Sequence, residues 1–335
     1  MLLQPGVTLA PAGRYAPCMG EFDLIERFFR RPVRRSPLGI GDDCALLAPA
    51  AGMQLAVSTD LLLEGRHFLS TVDPRRLGHK CLAVNLSDLA ACGARPLAFT
   101  LALSLPTADA QWLEAFSQGL LALADAQGCE LVGGDTTRGP LSMCITVFGE
   151  VPAGQALLRS GARAGDELWA SGTLGDARLA LEVFRGLQGV PAPVFEAARL
   201  RLEQPQPRVA LGLALRGIAT AAIDLSDGLA GDLRHLAQAS GVGATLDAVA
   251  LRQCLAAGAA LHPTRQLDLV LSGGDDYELC FTAPAAQRAA VQEAAARCVT
   301  PVTCIGRIEA EPGLRLQDGP AAAVPLHHAS FDHFA

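Results

Sequence analysis

The 335-residue sequence contains only one lysine, Lys80, and this scarcity excludes several kinds of active site. A Walker A loop needs a lysine followed by serine or threonine, whereas Cys81 follows Lys80. The same count excludes the lysine motif of protein kinases and disfavours Schiff-base chemistry, because Lys80 lies in an apolar helical pattern with nothing that marks it as a nucleophile. The G-x-S-x-G and H-E-x-x-H motifs are also absent. Any catalysis would therefore depend on aspartates.

Positive charge and long apolar runs are scarce as well. The net charge of −7 argues against a protein that binds the phosphate backbone of nucleic acid. Pro106, Arg216 or Asp224 interrupts each of the longest apolar stretches before it reaches membrane-spanning length, and the N-terminus lacks the pattern of a secretory signal. The ten cysteines form no C-x-x-C pair, which is typical of reduced thiols. We therefore predict a cytoplasmic protein with neither a nucleic-acid nor a membrane partner.

Composition and periodicity predict two α/β domains. Half of the residues are hydrophobic and 18% are charged, and strand-like segments such as QLAVSTD alternate with helix-like ones. One helix is predicted to begin at Asp73-Pro74 and to end at Gly93. Gly, Pro and Arg cluster from residue 151 to 165 and predict a boundary there. The predicted division is a disordered extension (1–18), an N-terminal domain (19–150) and a C-terminal domain (151–335).

Aspartates recur beside glycine or a hydroxyl residue, mostly where a predicted strand ends. The segments are GIGDD, STD, GGDTT, DLSDG and GGDDYE, together with NLSD in a predicted helix. Carboxylate and hydroxyl oxygens suit Mg²⁺, which commonly bridges a few carboxylates to substrate phosphates. Glycine allows close approach to a phosphate, and the helix after DLSDG contributes its positive N-terminus. Each segment alone is equally consistent with an ordinary turn or helix cap, and dispersed surface turns stay a second interpretation.

Nine segments together resemble the thiamine-monophosphate kinase family, within the superfamily of aminoimidazole-ribonucleotide synthetase-like ATP-binding proteins. They are GEFDLIERF, GIGDDCALL, AVSTDLLLEGRHF, KCLAVNLSDLAACGARP, VGGDTTRGPLS, LLRSGARAGD, AIDLSDGLAGDL, LSGGDDYELCFT and FDHFA, in the family's order. The resemblance implies an α/β (α+β) fold of two domains, each a mixed β-sheet covered by helices. It also implies a homodimer formed by strands of the N-terminal domain, which is expected to bind ATP and magnesium.

The activity that the resemblance implies is Mg²⁺-dependent transfer of the γ-phosphoryl group of ATP to thiamine monophosphate, which forms thiamine diphosphate and ADP. The expected cofactor is Mg²⁺, in several copies held by aspartates, and ATP is the co-substrate. Because the acceptor phosphate is already anionic at neutral pH, direct in-line transfer needs no strong general base. We therefore assign no protein nucleophile.

Site residues are carried over from the family position by position. The implied magnesium ligands are Asp43, Ser58, Thr59, Asp60, Asp88, Asp135, Asp224 and Asp227. The implied ATP contacts are Gly134, Asp135, Arg159 and Ser226, and the implied thiamine-phosphate contacts are His67, Asp275 and Phe331. Two positions depart from the usual pattern, since Asp275 stands in place of glutamate and Phe331 in place of Tyr or Trp. We expect both changes to affect substrate affinity rather than the magnesium cluster.

Two other functions stay open. A related ATP-dependent synthetase with another acceptor, as in selenophosphate or aminoimidazole-ribotide synthesis, would keep the superfamily, but the sequence lacks a cysteine-bearing Gly-rich N-terminal loop. A non-catalytic ATP-binding sensor would keep the fold without transfer. It would be stabilised by ATP and Mg²⁺ and would release no ADP.

Overall fold

The computed structural model of the protein describes residues 20–327, whose strands form two mixed β-sheets. The first sheet contains β1 (Met53–Leu63), β2 (Arg95–Leu105), β3 (Glu130–Arg138) and β4 (Ser142–Pro152). The second contains β5 (Asp166–Ser171), β6 (Ala221–Asp224), β7 (Gly243–Asp247), β8 (Leu279–Pro284), β9 (Val302–Glu309), β10 (Gly313–Gln317) and β11 (Val324–Pro325). The predicted extension over residues 1–18 and the predicted contact Phe331 lie outside the described residues.

Helices pack against both sheets, so that the predicted fold class is confirmed. They are α1 (Glu21–Leu24), which continues into a π-helical turn (Ile25–Phe29), α2 (Pro74–Ala91), α3 (Ala110–Gln127), α4 (Asp176–Phe184), α5 (Ala192–Glu203), α6 (Val209–Ala214), α7 (Leu229–Ser240), α8 (Ala248–Gln253), α9 (Pro263–Ser272) and α10 (Arg288–Arg297). Short 3₁₀ turns occupy Gly258–Ala260 and Ala285–Gln287. No helix between residues 20 and 327 combines the length and the apolar character needed to cross a membrane.

The first sheet has the order β1-β4-β2-β3, in which only β2 and β3 are parallel. Side chains alternate across each strand, so Leu103 and Met143 face the helices and are buried. The opposite face of β1 leaves Leu55, Val57 and Leu61 about half exposed. This sheet is therefore covered by helices on one face and carries exposed apolar side chains on the other.

The second sheet has the order β11-β10-β7-β9-β5-β8-β6, in which only β10 and β7 are parallel. Residues 153–165, which connect β4 to β5, form no helix or strand. This is the segment in which the sequence predicts a boundary, and the division into two domains stays a prediction.

Helix α2 lies between the two sheets. It begins where the sequence predicts, since the side chain of Asp73 accepts a hydrogen bond from the backbone N–H of Arg76 at 3.1 Å and Pro74 occupies the first turn. It contacts β1 and β4 on one side and β6 and β8 on the other. Its polar residues Lys80 and Asn85 are consequently as buried as its leucines.

Acidic residues were expected at the ends of strands, and this is correct for Asp224 but wrong for Asp60 and Asp135. Asp224 is the last residue of β6, whereas β1 continues for three residues beyond Asp60 and β3 for three beyond Asp135. Both strands keep their pairing with β4 or β2 past the acidic residue. The pairing of the sheet therefore outweighs the local turn tendency of Asp and Gly.

The short apolar run LDLVLS, which an acidic turn follows in the sequence, predicts a buried strand, but it forms part of α9 instead. His262 caps this helix through a hydrogen bond from the backbone N–H of Thr264 to Nδ1, at 3.4 Å, and Pro263 occupies the first turn. Leu267, Val270 and Leu271 then face the core of the second sheet. A short apolar run fits a buried strand and a buried helix equally well, and only the packing decides between them.

Helices α2 and α3 approach each other closely at two glycines. A Cβ atom at Gly78 would lie 2.0 Å from the carbonyl oxygen of Phe116, and one at Gly119 would lie 1.8 Å from the carbonyl oxygen of Arg75. Both obstacles are backbone atoms, which cannot rotate away as a side-chain end can. The distance between the two helices therefore depends on glycine at both positions.

We predict that Gly119→Ala lowers the free energy of unfolding by about 1–3 kcal/mol, the usual cost of overpacking. Chemical denaturation of the purified protein measures this change. Gly189→Ala is the matched control, because Gly189 has open space around its Cβ position and no positive φ. Equal losses in the two variants would contradict the close helix contact.

Candidate active site

Strand β1 and helix α2 bring several predicted magnesium ligands together. The Ser58 hydroxyl donates a hydrogen bond to Oδ2 of Asp88 on α2 at 2.5 Å, and Asp60 faces the same side of the sheet as Ser58. Thr59 faces the opposite side, where its hydroxyl oxygen lies 2.9 Å from that of Thr146. The neighbouring residues Ser58, Thr59 and Asp60 thus do not all point into one site.

Asn85 fixes the backbone of β1 at Asp60. Its Oδ1 accepts a hydrogen bond from the Asp60 backbone N–H at 3.1 Å, and its Nδ2 donates to the carbonyl oxygen of Cys81 at 3.0 Å. The side chain is fully buried, so these bonds replace the water that it loses. Sequence reasoning missed Asn85, for which the only signal was an amide in an otherwise apolar part of the helix.

Asp60, Asp88 and Asp224 form a group that we call the acidic cluster. Burial, and next the Asp88 carboxylate, raise the pKa of Asp224 to about 8. Burial and then Asp88 also raise the pKa of Asp60 to about 6. Since each carboxylate disfavours ionisation of its neighbours, the cluster retains protons near neutral pH unless a cation balances its charge.

The exposed guanidinium of Arg159 lies within electrostatic reach of this cluster. Burial raises the pKa of Asp88, and the hydrogen bond from Ser58 and the positive charge of Arg159 oppose that shift. An arginine beside carboxylates is suited to binding phosphate, because its planar fork offers paired donors. Arg159 therefore occupies a position consistent with its predicted contact to ATP.

The loop after β6 places Ser226 and Asp227 next to the same cluster. The carbonyl oxygen of Ser226 accepts a hydrogen bond from the backbone N–H of Asp275 at 2.9 Å. The Asp227 backbone N–H donates to Oδ2 of Asp232 in the first turn of α7 at 3.1 Å, and burial raises the pKa of Asp232 to about 7. Asp232 was not predicted, although an acid in the first turn after DLSDG was visible in the sequence.

Two of the predicted thiamine-phosphate contacts, His67 and Asp275, line one small cavity of about 40 Å³. Lys80 joins them, because its Nζ donates to Oδ1 of Asp275 at 2.9 Å and to the carbonyl oxygen of His67 at 3.1 Å. The His67 ring accepts a hydrogen bond at Nδ1 from the backbone N–H of Leu63 at 3.0 Å. Apolar walls complete this cavity, which we call the substrate cavity because two predicted substrate contacts line it; the walls are formed by Phe68, Leu69, Val72, Leu181, Phe184 and Leu202.

Tyr277 connects the substrate cavity to the acidic cluster. Its hydroxyl donates to Oδ1 of Asp275 at 3.3 Å. Burial, and then the charges of Asp275, Asp60 and Asp224, raise the pKa of Tyr277, so that its phenol stays protonated. The cavity and the cluster are therefore neighbouring parts of one region.

The remaining predicted residues Asp43, Gly134 and Asp135 line a separate cavity of about 810 Å³, between β3 and the segment that follows α1. Asp135 is in register with Ala102 on the outward face of the first sheet, whereas Asp60 is in register with buried Ile145 on the inward face. The strands β1 and β3 also form opposite edges of that sheet. The predicted ligands thus divide into two groups within one chain.

Gly134 has a physical reason to be glycine. Its φ of 150° lies in a region that other residues rarely adopt, and a Cβ atom there would lie 1.9 Å from the carbonyl oxygen of Leu101. Glycine therefore lets β3 pack closely against β2 at the point where β3 borders the cavity.

The donor set of the acidic cluster fits a hard cation, because it offers only carboxylate and hydroxyl oxygens. Over residues 20–327, however, no three His, Cys, Asp or Glu side chains come close enough together to hold a metal ion by themselves. Mg²⁺ usually keeps waters and binds through one or two carboxylates plus substrate phosphates. The cluster therefore fits a site that phosphate oxygens complete.

Sequence reasoning assigned no role to Lys80, and the structure places it between two predicted substrate contacts. Its apolar surroundings along the chain suggested an ordinary helical residue. The signal in the sequence was a single lysine within an apolar helical pattern. A buried ammonium group is unfavourable without a charged or carbonyl partner, so this position implied such a partner. That partner, Asp275, lies 195 residues away in the chain and was not visible from local pattern.

Two family models match successive parts of the chain. The model of the AIR synthase related protein, N-terminal domain, matches residues 41–151, and the model of the C-terminal domain matches residues 163–319. The thiamine-monophosphate kinase of Salmonella typhimurium is 49% identical over 323 residues, which cover 94% of this chain and 98% of that protein.

Solved structures of thiamine-monophosphate kinases are also similar to this chain. The crystal structure of thiamine-monophosphate kinase from Stenotrophomonas maltophilia has a TM-score of 0.79 and 49% identity, with 84% of this chain and 91% of that chain covered. A structure of AaThiL complexed with AMPPCP and TMP has a TM-score of 0.70 and 29% identity, with 82% and 88% covered. The chain belongs to the AIR synthase related family and, within it, to the thiamine-monophosphate kinases.

We predict that the free energy of unfolding in EDTA falls as the pH rises from about 6.5 to about 8. The folded pKa of Asp224, about 8, exceeds the ordinary value of 3.8, so its stabilising protonated form is lost through this range. Burial lowers the pKa of His79 from 6.5, which confines its opposite contribution to lower pH. Mg²⁺ should stabilise the protein more at pH 8 than at pH 6.5.

Thermal unfolding at several pH values, with EDTA or with Mg²⁺, measures both effects. Asp224→Asn provides the comparison, because an amide cannot ionise and should flatten the pH dependence. An unchanged slope in that variant would show that the acidic cluster does not govern stability in this range.

Proposed function

We propose that this protein transfers the γ-phosphoryl group of ATP to thiamine monophosphate, forming thiamine diphosphate and ADP. The observation that carries the proposal is the position of the substrate cavity, with His67 and Asp275, beside the acidic cluster. Tyr277 lies between the two and contacts Asp275. The relatives named thiamine-monophosphate kinase, and the AaThiL complex with AMPPCP and TMP, support the choice of substrates.

Different residues would bind the metal ions and the two substrates. Asp60, Asp88 and Asp224 would hold Mg²⁺ ions, with the Ser58 hydroxyl beside them. When bound, Mg²⁺ supplies charge neutralisation for the phosphoryl group in transfer. Further predicted ligands, Asp43, Thr59, Asp135 and Asp227, belong to this proposal of several metal ions.

The remaining residues position the two substrates. Arg159 and the backbone after Ser226, at the start of α7, would bind phosphate through a guanidinium and N–H donors. His67 and Asp275 would hold the thiamine phosphate in line with ATP. Because positioning and charge neutralisation supply most of the catalysis in phosphoryl transfer, no side chain need act as a nucleophile.

The decisive experiment is ³¹P NMR of the protein with ATP, Mg²⁺ and thiamine monophosphate. We expect thiamine diphosphate and ADP with the monophosphate, no product with free thiamine, and no product in EDTA. Asp60→Asn should lower turnover by at least about 100-fold, the scale for loss of one transition-state electrostatic group. Asp318→Asn is the matched control, because Asp318 pairs with Arg252 at the surface and is remote from the cluster.

Each other outcome has a definite meaning. Stabilisation by ATP and Mg²⁺ without any ADP would favour the non-catalytic sensor. ADP release with another acceptor only would favour a related synthetase. An Asp60→Asn variant with full activity would remove that carboxylate from the metal site.

We also propose that two copies of the chain form a homodimer through the outward face of the first sheet. Leu61, Cys144, Ala102 and Asp135 follow one another across this face in the strand register. The face ends at edge strand β1, where exposed apolar residues are a liability unless another surface covers them. A second sheet packed there would enclose Asp135 and its cavity and would complete the divided ligand set.

We predict that Val57→Asp combined with Leu61→Asp converts the dimer to a monomer, because two buried carboxylates would lack partners. Size-exclusion chromatography with light scattering gives the mass. Leu187→Asp is the control, since Leu187 is an exposed leucine on a loop away from this face. A wild-type monomer at all concentrations would contradict the proposal.

Two further expectations belong with this function. We propose residues 19–150 and 151–335 as two domains, in agreement with the two separate family matches. We also propose a cytoplasmic enzyme, because the cysteines among the described residues are free thiols, which a reducing compartment preserves.

A further inference from the structure

Lys80 is the most deeply buried cationic side chain in the substrate cavity, with only 2% of its surface exposed. An ammonium group in such a place is strongly unfavourable unless charged or carbonyl oxygens receive its donors. Both oxygens that do so, Oδ1 of Asp275 and the carbonyl of His67, belong to residues expected to contact the thiamine phosphate. The contacts of Lys80 are thus concentrated on the binding surface.

The loop that carries Asp275 is held in a strained form by other contacts. Asp275 and Tyr277 have φ values of 64° and 51°, which side chains other than glycine seldom adopt. On one side of the loop, the carboxylate of Asp276 accepts from the backbone N–H of Gly175 at 3.0 Å. Glu278 is fully buried and pairs with two arginines. These contacts fix the backbone. The Asp275 carboxylate itself receives the Lys80 ammonium from α2 at 2.9 Å and, at the longer distance of 3.3 Å, the hydroxyl of Tyr277 in its own loop.

We propose that Lys80 is a positioning residue that aims the Asp275 carboxylate and the His67 segment at the substrate. This inference rests on the proposed function. The Asp275 carboxylate stands on a single methylene group above a backbone with a φ of 64°, so its reach is short and its direction matters for any contact with a ligand. Lys80 supplies that direction from helix α2, across the contact between the two halves of the chain.

The test compares Lys80→Met, Lys80→Gln and Lys80→Arg with the wild-type protein. Methionine and glutamine remove the charge at similar length, and we expect KM for thiamine monophosphate to rise by about 10-fold or more, the scale for losing a group that orients a binding carboxylate. The kcat and the KM for ATP should change by less than about 3-fold. Arginine restores the charge and should recover part of the affinity.

Calorimetric titration of thiamine monophosphate, without ATP, gives a readout that is independent of turnover. Arg252→Met is the control, because it breaks a different ion pair of a basic residue with an aspartate, Asp318, and neither residue lines the cavity. It should leave the affinity unchanged. A loss of affinity in this variant as large as in Lys80→Met would assign the effect to stability.

A double-mutant cycle with Asp275→Asn tests whether Lys80 affects binding through the Asp275 carboxylate. If Lys80 acts largely through the Asp275 carboxylate, Lys80→Gln should cost clearly less affinity in the Asp275→Asn background than in the wild-type protein, because only its contact to the His67 carbonyl oxygen is then left to lose. Fully additive losses would overturn the proposal, as would an unchanged KM in a folded Lys80→Gln protein. If Lys80→Met does not fold, Lys80→Gln decides. A wild-type protein that binds thiamine monophosphate but forms no diphosphate would contradict the proposed function. The role of Lys80 would then be decided by the calorimetric affinities of the wild-type and variant proteins alone.

Discussion

Burial of polar side chains on helix α2 is the constraint on which the candidate active site depends. The helix lies between two sheets, so Lys80 and Asn85 are buried and Asp88 is partly buried, and all three need hydrogen-bond partners in place of water. Asn85 binds the backbone of β1, Asp88 receives the Ser58 hydroxyl, and Lys80 binds the loop before β8. One helix therefore sets the positions of groups from both halves of the chain.

The same burial makes the acidic cluster costly. Carboxylates of Asp60 and Asp224 have raised pKa values because they are withdrawn from water and lie near other acids. The folded protein tolerates this repulsion because extensive apolar packing around α2 and α3 holds the strands in place. A bound cation would lower the electrostatic cost of ionising these carboxylates.

The predicted ligands lie on both faces of the first sheet. Alternation along β1 sends Ser58 and Asp60 inward and Thr59 and Leu61 outward, so one short motif serves two surfaces. Asp135 shares the outward face and lies at the far edge of the sheet. Within one chain, the predicted magnesium ligands are thus divided between two surfaces of the first sheet.

Local sequence determined the parts whose physics is local. Asp73-Pro74 begins α2 because a cap and a proline act on their own turn, and the oxygen-rich acidic segments indicated phosphate and magnesium chemistry from residue type alone. Tertiary structure decided which of those residues meet. Sheet pairing kept Asp60 and Asp135 inside strands, packing turned LDLVLS into a helix, and burial joined Lys80 to Asp275. Contacts between residues 195 positions apart depend on how whole elements pack, and no local pattern in the chain encodes that distance.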